Sequence, residues 1–416
     1  MSKNELSVRL SEKPLGRLFR SGANMRFVYE SSAQRPLSMS MPLDKSAYGN
    51  RYCEAFFGGL LPESIKARVI IGRLFEVNPN NSYNLLSAIG YDCAGAVSIQ
   101  DINDPIISTD THEIKGEILD EKSLSKYLKE LPTRPLLAHL GEIRISLAGA
   151  QDKAALCVIK DSLCLPNGNS PSTHILKPPI SQLENSVQNE YFCLKLAQAI
   201  GLPAANVQIR RAMDTVYLLV ERYDRQFVNA RKVKRIHQED FCQASGIVST
   251  SKYQIDGGPG LKQCFDLLYN STSPALSRKQ FLDLVIFNYL VGNADAHAKN
   301  FAFLYPEDGT IKFAPTYDIL CTRIYKKTTS KMAMAIGKEY QIDKIRKSNW
   351  EKFCQDNIIS FSGFKQRCGD IMASINEAAV QENRKLVDDG FASDTVVEIV
   401  NYIRASSKTL SEQLEL

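Results

Sequence analysis

Asn293-Ala294-Asp295-Ala296-His297-Ala298-Lys299-Asn300, followed by Phe313-Ala314-Pro315-Thr316-Tyr317-Asp318, is the stretch that decides how this chain is read. Moving a phosphoryl group onto a hydroxyl needs a carboxylate to accept the hydroxyl proton. It also needs oxygen ligands that hold magnesium against the charge of the transferring group. An aspartate, four residues, an asparagine, then an apolar hairpin and a second aspartate supply both. Asp295 takes the part of the base, and Asn300 and Asp318 that of the metal ligands. Residues 301–305 and 311–315 read as two short strands around the turn Pro306-Glu307-Asp308-Gly309, a rigid way to aim both carboxylates at one point.

Asp and Asn are common in turns, so the spacing gains its weight from context. Residues 281–291 are almost continuously apolar and predict a buried helix. Polar Asp295, His297, Lys299 and Asn300 are delivered immediately beyond its end, where a site is expected rather than a solvated loop. His297 is read as structural. His112, His139, His174 and His237 show no ligand spacing.

With 416 residues the chain is long enough for two or three domains with real cores. Its 44% hydrophobic and 23% charged content is that of a globular protein. No apolar run approaches the roughly 18 residues needed to span a bilayer. The start, Met1-Ser2-Lys3-Asn4-Glu5, mixes charge signs, so no secretory signal is expected and a cytoplasmic location is. Ten scattered cysteines without a Cys-x-x-Cys pair point to reduced thiols rather than zinc or disulfides. The formal charge of +5 permits nucleic acid or an acidic partner without arguing for either.

Along the chain, residues 1–110 carry short alternating runs that predict small antiparallel strands, with helical patches at 52–61 and 82–89. Residues 111–134 are charge-rich and read as a connector with one exposed helix. Residues 135–224 form a strand-rich lobe, with strands expected at 144–147, 154–159, 174–177 and 215–220. One helix, 189–200, interrupts them and stops at Gly201 with Pro203 beyond. Residues 225–416 read as mainly helical. The last helix is expected to open on a Thr395-x-x-Glu398 capping box and to bury Val396, Val397, Val400 and Ile403. The sum is an α+β protein on the two-lobed plan of protein kinases: a small β-rich lobe, a larger helical lobe and an extra N-terminal α/β subdomain.

Further residues complete a phosphotransfer site on this plan. Ser146-Leu147-Ala148-Gly149-Ala150-Gln151-Asp152-Lys153 links two expected strands with small residues, which lets backbone N–H groups approach phosphate oxygens. Read blandly, it is an ordinary hairpin. Lys177, in an apolar strand, is either a snorkelling surface lysine or a phosphate ligand, with Glu190 on the next helix as a possible partner. Glu221-Arg222-Tyr223-Asp224-Arg225 stands where a hinge would contact adenine; its alternative is a solvated charge run. Arg231, Lys232, Lys234 and Arg235 form a basic cluster, read as a solvated face.

The ordered set of motifs resembles the HipA serine/threonine kinase toxins over nearly the whole chain. It comprises residues 145–153, Thr173-His174-Ile175-Leu176-Lys177, Asn189-Glu190-Tyr191, 221–225, 238–243, Asp256-Gly257-Gly258-Pro259-Gly260, 295–300 and Tyr317-Asp318-Ile319. Residues 35–43 and Phe57-Gly58-Gly59-Leu60-Leu61-Pro62 resemble the family's N-terminal subdomain. The resemblance implies ATP and Mg2+ as cofactors, Asp295 as catalytic base, and Asn300 and Asp318 as metal ligands. It places the nucleotide on Ala148, Gly149, Ala150, Gln151, Lys153, Lys177, Glu221, Tyr223, Asp224 and Tyr317. It makes Ser146 an autophosphorylation site whose modification silences the kinase. Asp152 departs from the glutamate of the best-known relatives. Implied partners are a HipB-like helix-turn-helix antitoxin, operator DNA reached mainly through it, and a protein substrate such as an aminoacyl-tRNA synthetase. A catalytically silent corepressor acting with the antitoxin is the competing reading, and small-molecule phosphotransfer a third.

Overall fold

The computed structural model describes residues 4–11, 13–103, 112–131, 133, 148–149, 151–167 and 170–416. Ser146, Ala150, His139 and the strand expected at 144–147 lie outside the described residues. The chain divides into two compact units. One comprises Met1–Pro178, Arg210–Thr250 and Ala302–Thr310; the other comprises Pro179–Ile209, Ser251–Phe301 and Ile311–Leu416.

In the first unit, the alternating N-terminal runs form an antiparallel sheet. Its order is Ala47–Tyr48, Asn24–Tyr29, Lys13–Ser21, Glu5–Leu10 and Val97–Asp101. Period-two patterning puts Leu6, Val8, Leu18 and Phe27 on one buried face. Gly16 lies opposite Val8, and a Cβ there would stand 2.4 Å from the Val28 carbonyl and 2.5 Å from the Phe27 ring, so no larger residue fits. The helix Ser82–Ile89 forms where expected. The 52–61 patch divides at Gly58-Gly59 into the helix Asn50–Phe56 and the 3-10 turn Gly58–Leu60.

A second sheet of this unit runs Thr215–Glu221, His174–Lys177, Ala154–Ile159, Ser162–Pro166 and Gly116–Ile118, antiparallel throughout. The helix Glu121–Glu130, capped by Asp120 on the Ser123 N–H, is more than an exposed connector, because Leu124 and Leu128 are buried. These two leucines, Leu156, Leu176 and Leu219 share one apolar core with Leu6, Phe27, Phe56 and Leu86. The first hundred residues are thus cemented to the strand-rich segment through a common core.

The basic cluster is solvated at Arg231 and Lys232 and half-exposed at Lys234, as read, and departs from that reading at Arg235. Lys232–Arg235 is a strand paired with Arg225–Asn229, Val233 is fully buried, and Arg235 is nearly so. His237–Asp240 pairs antiparallel with Ala302–Tyr305, the first strand expected after the Asp295 loop. These strands place β-structure in a region that reads as mainly helical.

The second unit is mainly helical: Ser186–Ala199, Leu261–Leu267, Pro274–Val291, Lys347–Asp356, Phe361–Asp388 and Asp394–Leu414. The first of these starts three residues before the expected Asn189 and ends as read, with Gly201 in the left-handed region at φ 82°. The last opens differently from expectation. It starts at Asp394 and its N-cap Ser393 makes no side-chain cap bond. Thr395 instead accepts from Asn185 Nδ2 at 3.2 Å. Val396, Val400 and Ile403 are buried with Ile399, whereas Val397 is 46% exposed. The N-cap thus lies two residues before the expected one, and Val397 points away from the apolar stripe. All ten cysteines are free and buried. Among the described residues, no helix is long and apolar enough to cross a membrane.

Candidate active site

Pro274–Val291 buries Phe281, Leu284, Ile286, Phe287, Leu290 and Val291, which fixes its end as a platform. The helix stops because Gly292 turns left-handed, φ 70°, and a Cβ there would meet the Tyr402 ring at 2.5 Å. Beyond it, the Asp295 main chain is held on both sides. Its N–H donates to Asn293 Oδ1 at 3.1 Å, and Asn293 Nδ2 donates in turn to Asn288 Oδ1 at 3.0 Å. The Asp295 carbonyl accepts from the His297 N–H at 2.8 Å and from Asn300 Nδ2 at 3.0 Å. Just before it, the Ala294 N–H donates to Thr322 Oγ1 at 3.0 Å and its carbonyl accepts from the Ala333 N–H at 2.8 Å. On this fixed frame the Asp295 carboxylate is exposed, and Oδ1 accepts from the Tyr253 hydroxyl at 2.7 Å.

The amide of Asn300 is committed by its nitrogen, which presents the oxygen as the atom for a cation. Asp318 sits at φ 58°, a strained conformation for a non-glycine residue and one common at functional positions. The chain reaches it through Thr316, whose N–H donates to the Pro203 carbonyl at 2.8 Å and whose carbonyl accepts from the Ala205 N–H at 2.9 Å. The Tyr317 hydroxyl donates to the Lys299 carbonyl at 2.7 Å. Past Asp318, the Asn189 side chain clamps Cys321. Its Oδ1 accepts from the Cys321 N–H at 2.8 Å and its Nδ2 donates to the Cys321 carbonyl at 3.0 Å. Asp295, Asn300 and the segment of Asp318 are thereby brought together within one unit. One carboxylate and one amide oxygen on rigid backbone suit magnesium, which takes few protein ligands and completes its shell with phosphate and water.

The first unit carries the remaining expected residues. Lys177 is buried at 6% exposure rather than snorkelling, at the end of a strand whose register sets it opposite Leu218. Gly149 lies at φ 103°, and its carbonyl accepts from the Glu63 N–H at 3.2 Å. Lys153 Nζ donates to the Ala148 carbonyl at 2.9 Å, and Gln151 Nε2 reaches the Pro178 carbonyl at 3.5 Å. Burial pushes the Asp152 carboxyl up, against the nearby Lys66 and Lys153 ammoniums.

After the strand Thr215–Glu221, side chains alternate. Glu221 and Tyr223 are half-buried, while Arg222, Asp224 and Arg225 turn into the core. The run is therefore not a solvated one. Arg222 forks onto Asp224, Nε to Oδ1 at 3.0 Å and Nη2 to Oδ2 at 2.9 Å, and the Gly95 N–H donates to Oδ2 at 2.6 Å. Arg225 Nη2 and Ser172 Oγ both bind Asp92 at 2.7 Å, and Arg235 joins them. Burial alone would raise the Asp92 carboxyl, but the guanidiniums of Arg235, Arg225 and Arg222 outweigh it and hold it far below the usual range. Asp224, expected among the nucleotide ligands, is buried in this cluster and paired with Arg222 and Arg225. Sequence reasoning did not see Asp92, Tyr253 or the role of Asn189, since their partners lie tens to more than a hundred residues away.

Residues 145–383 match the model of the HipA-like C-terminal domain, and residues 6–100 that of the HipA N-terminal domain. The chain belongs to the HipA family. It is 31% identical over 323 residues to the serine/threonine-protein kinase toxin HipA of Shewanella oneidensis, covering 74% of this chain and 72% of that one. It is 42% identical over 348 residues to the putative kinase Y4mE of Sinorhizobium fredii, covering 83% and 82%. Among solved structures it is similar to the Shewanella oneidensis HipA in complex with HipB and operator DNA. The TM-score is 0.86 at 25% identity, over 99% of this chain and 98% of that one. The α+β, kinase-like fold with an added N-terminal part is that of this family, and the chain is an enzyme of the serine/threonine-protein kinase class.

Proposed function

We propose that this HipA-family protein transfers the γ-phosphoryl group of ATP to a serine or threonine of a protein, with Asp295 as the general base. The observation that carries this reading is the linked set Asn300 to Asp295 and Tyr317 to Lys299, which gathers Asp295, Asn300 and the segment of Asp318. Asn300 and Asp318 would hold the magnesium ion, which neutralises charge on the phosphates. Lys177 and the small-residue loop with Ala148, Gly149, Ala150, Gln151 and Lys153 receive the phosphates. Glu221 and Tyr223 flank adenine through the backbone. In this reading residues 1–110 form the partner-docking subdomain and 111–134 the connector. Residues 135–224 are the nucleotide lobe and 225–416 the lobe of the catalytic groups.

The finer parts rest on the family. Phosphorylation of Ser146 adds close to two negative charges beside the loop and removes it from service against another polyphosphate. A HipB-like antitoxin neutralises the kinase and carries it to operator DNA, a partnership supported by the solved complex of the Shewanella relative. An aminoacyl-tRNA synthetase is the leading substrate candidate, and the cytoplasm the proposed location. The alternative, a silent corepressor, is disfavoured by the buried Lys177 and the ordered Asp295 loop. Phosphoproteomics after controlled expression, comparing the wild type with Asp295→Asn, tests the reading. New phosphoserine or phosphothreonine sites that vanish in the variant support it. Identical patterns from both refute it.

A further inference from the structure

We infer that Tyr253 is a positioning residue for phosphoryl transfer. Its hydroxyl fixes Asp295 Oδ1 so that Oδ2 is the atom that takes the acceptor's proton. This rests on the reading of Asp295 as base. With the Asp295 main chain bound at both its N–H and its carbonyl, the freedom left is the rotation of an exposed carboxylate. An unrestrained carboxylate samples several rotamers, and misplacement by about 1 Å costs on the order of a hundredfold in rate. The Tyr253 hydroxyl, 2.7 Å from Oδ1, removes that freedom.

Most tyrosine–carboxylate bonds at a surface decorate it, and the surroundings of Tyr253 set this one apart. Its ring meets His297 edge-on at 5.3 Å between centroids, within the Asp295–Asn300 stretch itself. Its carbonyl accepts from the Asp256 and Gly258 N–H groups at 3.1 and 2.9 Å. That turn admits only glycine at 258, where a Cβ would stand 2.2 Å from the Ser251 carbonyl and 2.7 Å from that of Tyr253. Next to it, Gln254 Oε1 accepts from the Ala335 N–H at 2.8 Å. Ala335 lies on the strand Lys331–Ile336, whose Ala333 N–H holds the Ala294 carbonyl. The residues next to Tyr253 and Asp295 are therefore tied to one strand at positions two residues apart, Gln254 through its side chain and Ala294 through its carbonyl.

In the transfer, the acceptor hydroxyl loses its proton to Oδ2 while its oxygen bonds to the γ-phosphorus, and the bond from that phosphorus to the bridging oxygen breaks to release ADP. Tyr253 keeps its proton throughout and touches neither acceptor nor nucleotide. Its effect belongs in the rate of transfer and not in nucleotide binding.

The test is Tyr253→Phe in the full-length protein, assayed for kcat and for KM of ATP beside Asp295→Asn. Binding of a non-hydrolysable ATP analogue and the melting temperature are measured on the same samples. Phenylalanine keeps the ring against His297 and removes the hydroxyl alone. The expected result is a kcat lowered about tenfold or more, with analogue binding and KM for ATP within twofold of wild type. Wild-type kcat in Tyr253→Phe with Asp295→Asn inactive overturns the inference and leaves the base assignment standing. A variant that loses analogue binding or melts early also overturns it, since the hydroxyl would then support the fold. Full activity of Asp295→Asn refutes the base assignment itself.

Discussion

The hydroxyl of Tyr317 donates to the main-chain carbonyl of Lys299 at 2.7 Å, and through this one bond the residue before Asp318 holds the residue before Asn300. The two proposed metal ligands come from segments 18 residues apart, and each is exposed to small rotations of its own loop. Tyr317 was expected among the nucleotide-binding residues; its hydroxyl bond ties together the two segments that carry the proposed ligands. Tyr317→Phe keeps the ring and removes the bond, which costs stability about 1 kcal/mol. The magnesium concentration for half-maximal ATP turnover should rise about fivefold or more, with the fold retained. An unchanged magnesium dependence would show that the ligands are spaced by other contacts.

Asn189 anchors the chain three residues beyond Asp318. Fully buried, its amide exchanges two hydrogen bonds with the Cys321 backbone and donates a third to the Tyr325 hydroxyl at 3.1 Å. Asn189→Ala strands a buried N–H and a buried carbonyl, each worth about 1–3 kcal/mol when left unmade. Chemical denaturation should show a loss of roughly 2–4 kcal/mol, and turnover should fall further than stability alone accounts for. Asn189→Asp keeps the acceptor for the Cys321 N–H but adds a buried charge, so it should be no better than alanine.

The parts legible in the sequence are those whose signal is local. The buried helix before Asp295 shows as a continuous apolar run, the helix ending at Gly201 as a glycine stop, and Ser82–Ile89 as a compact apolar patch. The sites read from spacing, Asp295, Asn300 and Asp318, depend on fewer than thirty residues of chain. What escaped depends on long-range pairing. Charge runs at 221–225 and 231–235 look solvated in one dimension. Only the fold brings Arg222, Arg225 and Arg235 out of these runs to Asp92, more than 120 residues upstream, where burial becomes affordable. Tyr253 reads as an ordinary tyrosine until the fold sets it 42 residues from its partner, Asp295.

The Asp92 cluster makes a prediction by contrast of magnitudes. Arg222, Arg225 and Arg235 surround Asp92 and Asp224 at 0–4% side-chain exposure, so removing one carboxylate leaves guanidiniums without compensation in the core. Asp92→Asn should cost about 3 kcal/mol or more and broaden or lower the unfolding transition. Lys129→Ala is the control. Its ion pair with Asp214 is 58% and 73% exposed, and water screens such a pair so that its loss should leave stability nearly unchanged. Equal effects from the two variants would contradict the burial argument. Arg222 and Asp224 of this cluster alternate along the chain with Glu221 and Tyr223, so KM for ATP should rise in Asp92→Asn and stay constant in Lys129→Ala.

Glu239 gives a prediction in pH. Burial pushes its carboxyl up to about 7, although the hydroxyls of Ser38 and Tyr305 and the Met39 N–H, the last at 2.9 Å, all favour the charge. Asp240 adds to the rise. The unfolded carboxyl titrates near 4.5, so between about 4.5 and 7 the folded protein binds the proton more tightly than the unfolded chain. The stability from this group is therefore fully present below pH 4.5 and is lost as pH rises through 7. His174 and His237 run the other way: burial lowers both to about 4, so their contribution grows as pH rises from 4 to 6.5. A simple pH scan mixes the two signs, and the variant Glu239→Gln separates them. Glutamine stays neutral, accepts from Met39 and Tyr305 through Oε1, and donates to Ser38 through Nε2, so the packing of residues 38–40 against Gln243 is kept. Both histidines are common to wild type and variant and cancel in the difference. Denaturation of the two proteins from pH 4 to 8 should give a difference curve that is flat below about 4.5. It should then climb in favour of Glu239→Gln, reaching about 3 kcal/mol above pH 7. A curve that stays level across this range would mean that Glu239 ionises in the fold as it does in water, with its three donors offsetting its burial in full.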